Sequence, residues 1–212
     1  MYVELHLLQN FAPNCLNRDD TNSPKDCVFG GFRRARISSQ CLKRAIRTYV
    51  RDGGLLPEED LGRRTKRVIG EVSRRLVQEQ GRDEAEAIAK AAAALKSQGL
   101  SEDSKQKNET EYLLFLGERE IKALVAVVNE HWDDIEALSE ESDEDDGKKK
   151  RKGKTSKKSD APKEVKDAVL NLLDGGQAAD LALFGRMLAD LPTKNIDAAS
   201  QVAHAISTNS VA

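Results

Sequence analysis

The sequence predicts an α+β chain in which short strands at the two ends bracket a long helical middle. Three observations predict it. Apolar residues alternate at period two near both ends, at "YVELHLL" (2–8) and "SQVAHAIST" (200–208). Apolar residues recur at helical spacing across most of 57–138 and again after Pro162. A glycine pair interrupts two extended segments in "CVFGGFRRARIS" (27–38), as a tight turn between strands would.

In order, Val3, Leu5 and Leu7 share one face of an expected N-terminal strand. The stretch 10–26 is rich in Asn, Asp and Pro and reads as a long ordered loop. Around Gly30-Gly31, Arg34 and Arg36 fall on one strand face and Arg33, Ala35 and Ile37 on the other. Ser38 or Ser39 then caps a helix with an apolar stripe of Leu42, Ala45, Ile46 and Tyr49, and "DGG" (52–54) ends it. From 57 to 138 the pattern reads as helical throughout. Val68, Ile69, Val72, Leu76 and Val77 form one stripe, and Ile121, Leu124, Val125 and Val128 another. "EAEAIAKAAAALKS" has high helix propensity, and Trp132 reads as a packing residue. Residues 139–161 carry almost no apolar side chain and read as a disordered, solvated linker, with a basic tether for nucleic acid as the sharper reading. A helix resumes at Pro162 and stops at Gly175-Gly176; "ADLALFGRMLADLP" fits helix or strand. Val202, His204 and Ile206 mark a final strand.

The 212 residues carry a net charge of −2, 39% hydrophobic residues and 33% charged ones. That near-neutral sum hides segregation: 140–146 is acidic, 148–158 basic, and 33–75 basic again. No apolar run reaches the roughly 20 residues of a membrane span, and no signal peptide is visible. Cys15, Cys27 and Cys41 form no C-x-x-C, which fits reduced thiols in a cytoplasmic protein. His6, His131 and His204 are scattered without ligand spacing, so neither zinc nor another cofactor is expected.

No P-loop, G-x-G-x-x-G or G-x-S-x-G occurs. Asp19 and Asp20 could hold a divalent metal for phosphodiester cleavage, or simply form a turn. The basic helix start offers a better-defined chemistry. Unpaired N–H groups and the positive dipole end favour phosphate there. Ser38, Ser39 and Gln40 add donors, and Lys43 and Arg47 share one face at i, i+4. A solvated basic face is the competing reading. Only Phe29 and Phe32 lie near as aromatic platforms, so backbone rather than base recognition is expected.

"CLNRDDTNSPKDCVFGGFRRARISSQCLKRAIR" and the later "LALFGRM" and "AASQVAHAISTNSV" resemble, in order, the signatures of the CasC-type backbone subunit of the type I-E CRISPR Cascade complex. The resemblance implies a modified RRM-like (ferredoxin-like) palm, a helical fingers insertion and a thumb. It divides the chain into palm at 1–55, fingers at 56–194 and a palm strand at 195–212. It implies a non-enzymatic, cytoplasmic scaffold without cofactor. The implied partners are crRNA, target DNA reached through the guide, copies of itself and other Cascade subunits, with no membrane. Carried over by motif, the RNA contacts are Arg18, Lys25, Ser38, Gln40, Lys43, Arg47 and Met187. Arg47 stands where the family often has lysine, and Phe32 where a basic residue can occur. Family members continue beyond "AHAIST" through the thumb and the rest of the palm, so the resemblance implies a truncated chain. A metal-dependent ribonuclease using Asp19 and Asp20, or an inactive fragment, are the alternatives.

Overall fold

The computed structural model describes residues 2–12, 14–103, 106–136 and 161–211. Its elements run β1 (Asp26–Phe29), β2 (Phe32–Ile37), α1 (Ser39–Asp52), β3 (Gly62–Thr65), α2 (Val68–Gln80), α3 (Glu84–Lys96), β4 (Leu114–Gly117), α4 (Glu118–Glu130), α5 (Lys163–Leu172), α6 (Ala179–Phe184) and β5 (Ala205–Ile206). They form two compact units, Met1–Asp52 with Gln201–Ala212, and Gly53–Ser200. The expectation of a disordered linker at 139–161 lies outside the described residues, Ala161 excepted.

The first unit is built on an antiparallel sheet of order β1-β2-β5. β1 and β2 make a hairpin in which Asp26 faces Ala35 and Phe29 faces Phe32. Its two-residue turn places Gly30 at φ +63° and Gly31 at φ +81°. Positive φ at both central positions is the mark of the type I′ turn, whose twist matches the flanking strands. α1 follows at once, and none of its residues is buried.

One expectation for this unit fails. Residues 2–8 form no strand; Val3, Leu5 and Leu7 are exposed at 63%, 82% and 92%. Alternation specifies a strand face but cannot supply the neighbouring strand whose hydrogen bonds would hold it. The helix α1 forms as expected, with its stripe only partly covered: Leu42 is half-buried, Ile46 is 43% exposed and Tyr49 71%. The last strand is shorter than its alternation suggests. Ala205 and Ile206 form its strand, opposite Ile37 and Arg36, and beyond it Ser207 N and Val211 N donate to the carbonyls of Ala35 and Arg33 at 2.9 Å each.

The second unit holds the core. α2 packs on α3 and α4, and α4 packs on α5. Ala87, Ala91 and Ala94 of α3 are fully buried, as are Val68, Val72 and Leu76 of α2. Ile121, Leu124, Val125 and Val128 of α4 are all under 5% exposed, as their spacing predicts. Trp132 is 7% exposed, with Arg82 and Lys90 at 4.5 and 4.7 Å from its ring centroid. It packs rather than presenting a stacking face.

The wholly helical middle is corrected by a β-ladder. β3 and β4 pair antiparallel from Gly62–Gly117 to Thr65–Leu114. "LFLG" is buried on every residue, so it shows no alternation and reads by periodicity like a buried helix turn. The ambiguous "ADLALFGRM" resolves into α6 followed by a single bridge, Arg186 to Ile196.

Candidate nucleic-acid interface

The loop before the hairpin is tied to the start of α1. The Asn17 carbonyl accepts from Lys25 N at 2.9 Å, and the Lys25 carbonyl accepts from Arg36 N at 3.0 Å. The Asn17 side chain accepts from Ser38 N at 2.9 Å. Within the loop, Arg18 donates to the Asn22 carbonyl at 2.7 Å and bridges to Pro24. Arg18 is exposed and Lys25 half-buried. The sequence thus places both predicted cations of this loop on a segment anchored beside the helix start.

At that helix start the orphan N–H groups are largely satisfied by the chain itself. Ser38, 5% exposed, is the cap: its Oγ accepts from Cys41 N at 3.3 Å. Ser39 N donates to Nδ1 of His204 at 2.9 Å, so in the neutral ring the proton sits on Nε2. Leu42 N donates to the Ser38 carbonyl. Gln40 is exposed at the same end. One turn on, Lys43 and Arg47 are half-buried while Arg44 is exposed.

The basic strand divides its cations. Arg33 pairs with Asp26 across the hairpin, Nε to Oδ2 at 2.7 Å. Arg34 donates to the carbonyls of Phe29 and Ser207, at 3.1 and 3.0 Å, and to that of Thr208. It clamps β2 to the segment after β5. Arg36 is half-buried, and its Nε has no hydrogen-bond partner among the described residues.

Residues 3–212 match the family described as CT1975-like proteins. The chain belongs to the CT1975-like family. Among solved structures it is similar to a chain of a "CRISPR RNA-guided surveillance complex", at 32% identity and TM-score 0.67, covering 94% of this chain and 56% of that one. A second likeness is to a chain of a "CRISPR RNA-guided surveillance complex, pre-nicking", at 33% identity and TM-score 0.66, covering 92% and 49%. This CT1975-like chain therefore spans about half the length of the solved chains it resembles. No curated protein matches.

Six of the seven predicted contacts, Arg18, Lys25, Ser38, Gln40, Lys43 and Arg47, lie in the first unit of the CT1975-like chain. Met187 lies in the second, 79% exposed. Ser38 serves as a helix cap and is 5% exposed, its Oγ accepting from Cys41 N. His204, Asn17 and Arg34 were not singled out as contributors to this site. The sequence presents His204 as one of three scattered histidines and as a member of an alternating face. Their roles arise from hydrogen bonds across 165, 21 and 173 residues of sequence, which local pattern cannot show.

Asp19 is engaged in a turn. Its Oδ1 accepts from Thr21 N at 2.9 Å, Thr21 Oγ1 at 2.8 Å and Ser23 N at 2.9 Å. The Thr21 hydroxyl, then the Ser23 amide, hold its carboxyl below the ordinary carboxylate value. Among the described residues no group of three or more His, Cys, Asp or Glu is arranged to hold a metal ion. No helix among them is long and apolar enough to cross a membrane.

Proposed function

We propose that this chain is a guide-RNA-binding backbone subunit of a CRISPR Cascade-type surveillance complex, of the CasC kind found in type I-E systems. The likeness at 32% identity over 94% of the chain to a subunit of an RNA-guided surveillance complex carries this reading. In it, the first unit forms part of an RRM-like palm and the second forms the fingers. Copies polymerise along one crRNA, and the guide pairs with target DNA while the protein holds its backbone. The chain acts as a cytoplasmic scaffold rather than as the nuclease, and its protein partners are further copies and other Cascade subunits.

The local chemistry fits backbone recognition. Arg33 and Arg34 are committed to the fold, and two of the first helix amides are capped. In this reading the phosphate grip is made by side chains: Arg18 and Lys25 on the anchored loop, Gln40 at the helix end, and Lys43 and Arg47 one turn apart. Met187 supplies an apolar contact to the bases.

RNA that co-purifies with the full chain, seen by absorbance ratio and removed by ribonuclease, is the first test. Replacing Lys43 and Arg47 with Gln is expected to weaken binding of all single-stranded RNA sequences about equally. It should also lower the slope of log affinity against log salt by about 1.4, at about 0.7 per lost phosphate contact. An unchanged slope refutes the assignment of these two residues. RNA cleavage that needs magnesium or manganese and is lost in Asp19→Asn would replace the scaffold with a nuclease.

A further inference from the structure

His204 stands where β2 gives way to α1. Ala205 and Ile206 pair with Ile37 and Arg36. Continuing that antiparallel register would set the Ser39 amide against the Ala203 carbonyl. The chain instead enters α1 at Ser39, and the Ser39 amide donates to Nδ1 of His204 at 2.9 Å. A side chain thus takes over from the ladder that the helix start interrupts. The same bond satisfies one of the first-turn amides that a helix leaves without an internal partner. It joins residues 165 positions apart in the chain.

That acceptor exists in one protonation state. Neutral imidazole has a lone pair on Nδ1 when its proton sits on Nε2, whereas imidazolium donates from both nitrogens and accepts at neither. A charged ring would set N–H against the Ser39 N–H, at the positive end of the helix dipole. The neighbouring elements add further cations. β2 contributes Arg36, opposite Ile206, and α1 contributes Lys43 one turn on, with no acidic residue in its first turn. The loop that Asn17 ties to Ser38 contributes Arg18 and Lys25. Residues 201–212 hold no charged side chain besides His204. The carboxylates of the loop and hairpin are turned elsewhere: Asp19 accepts from Thr21 and Ser23, Asp20 is exposed in the same turn, and Asp26 pairs with Arg33.

We propose that His204 is a proton-operated latch. Its neutral ring ties the start of α1 to the segment leading into β5, and protonation releases both. The bond is present above the ordinary titration range of imidazole, about pH 6.5, and is lost as pH falls through that range. The order of the helix end that carries Gln40 then depends on pH. The latch belongs to the fold and does not rest on the guide-binding reading.

The test follows the isotope-labelled full chain by NMR from about pH 8 to about pH 5. Ring nitrogen shifts report the protonation of His204. Amide exchange, corrected for its intrinsic pH dependence, reports Ser39. Protection at Ser39 should fall about fivefold as the ring becomes charged, the scale of one lost helix-end hydrogen bond. Cys41, capped by the Ser38 hydroxyl, should keep its protection. Asp19, held below the ordinary carboxylate value of 3.8, keeps its charge across this window. His204→Asn sets a carbonyl oxygen where Nδ1 stood and does not titrate, so Ser39 should stay protected throughout. His204→Phe keeps the ring without the acceptor, so Ser39 should be unprotected throughout.

A charged ring with Ser39 still protected overturns the latch, as does a ring that stays neutral at the acid end. A His204→Asn protein that loses Ser39 protection in acid as the parent does assigns the pH effect to other groups and refutes the proposal. Full protection of Ser39 in His204→Phe shows that the ring nitrogen does not hold this amide, with the same consequence. Should His204→Phe fail to fold, the parent's ring shifts and His204→Asn still decide.

Discussion

Glu120→Ala tests the reading of the second unit most sharply. Glu120 stands at the third position of α4 and is 2% exposed. Its Oε2 reaches back to accept from Gly117 N at 2.6 Å, and its Oε1 accepts from Gly175 N at 2.7 Å. Both oxygens accept from Arg186. Alanine there leaves a buried guanidinium without its counter-charge, which costs about 3–5 kcal/mol. It also orphans two buried amides at about 1–3 kcal/mol each. These terms are not additive, yet even about 5 kcal/mol matches the entire stability of many domains. Denaturant unfolding followed by circular dichroism should show the variant losing its cooperative transition or shifting it by at least about 4 kcal/mol. Glu120→Met with Arg186→Met should recover part of the loss, because removing both charges is gentler than stranding one. A Glu120→Ala protein within about 1 kcal/mol of the parent would mean that water replaces the carboxylate, and the argument for a dry ion pair falls.

Ser38→Ala removes the cap on α1 and should cost about 1 kcal/mol, with faster amide exchange at Cys41; unchanged exchange there refutes the cap. His204→Ala should accelerate exchange at Ser39 in the same experiment and leave Cys41 alone. Glu71 carries a pH prediction. Burial raises its carboxyl, but hydrogen bonds from Arg74 and then Arg75 outweigh that and leave it below the ordinary value of 4.5. A depressed folded value stabilises above pH 4.5, and the contribution is lost as pH falls below that. The melting gap between the parent and Glu71→Gln, about 1.5–3 kcal/mol near neutrality, should close on acidification. A gap that does not shrink as the pH falls below 4.5 would assign it to packing rather than charge.

What could be read from the sequence follows range of interaction. The α4 stripe, the Gly30-Gly31 hairpin, the Ser38 cap and the packing role of Trp132 are local patterns, and each stands in the structure. Elements that need a distant partner were misread. "LFLG" is a strand only because Gly62–Thr65 lies beside it, and "YVELHLL" fails to be one for want of such a neighbour. The α1 stripe shows the same limit. A periodic face states which side would be buried, not whether anything covers it.

The candidate site carries this point into chemistry. Charge counting along "FRRAR" weights every arginine alike, but the fold does not. Arg33 spends its charge on Asp26, and Arg34 spends its donors on carbonyls 173 and 174 residues away. The helix start likewise loses most of its anion-binding capacity to Ser38 and His204. An incoming phosphate at Ser39 would have to displace an imidazole that already accepts there. On the guide-binding reading proposed above, the expected RNA grip therefore shifts from the helix dipole to cationic side chains. A grip made by cationic side chains is screened by salt and indifferent to base identity. Those are the properties required of a surface that must hold any guide and leave the reading of sequence to base pairing.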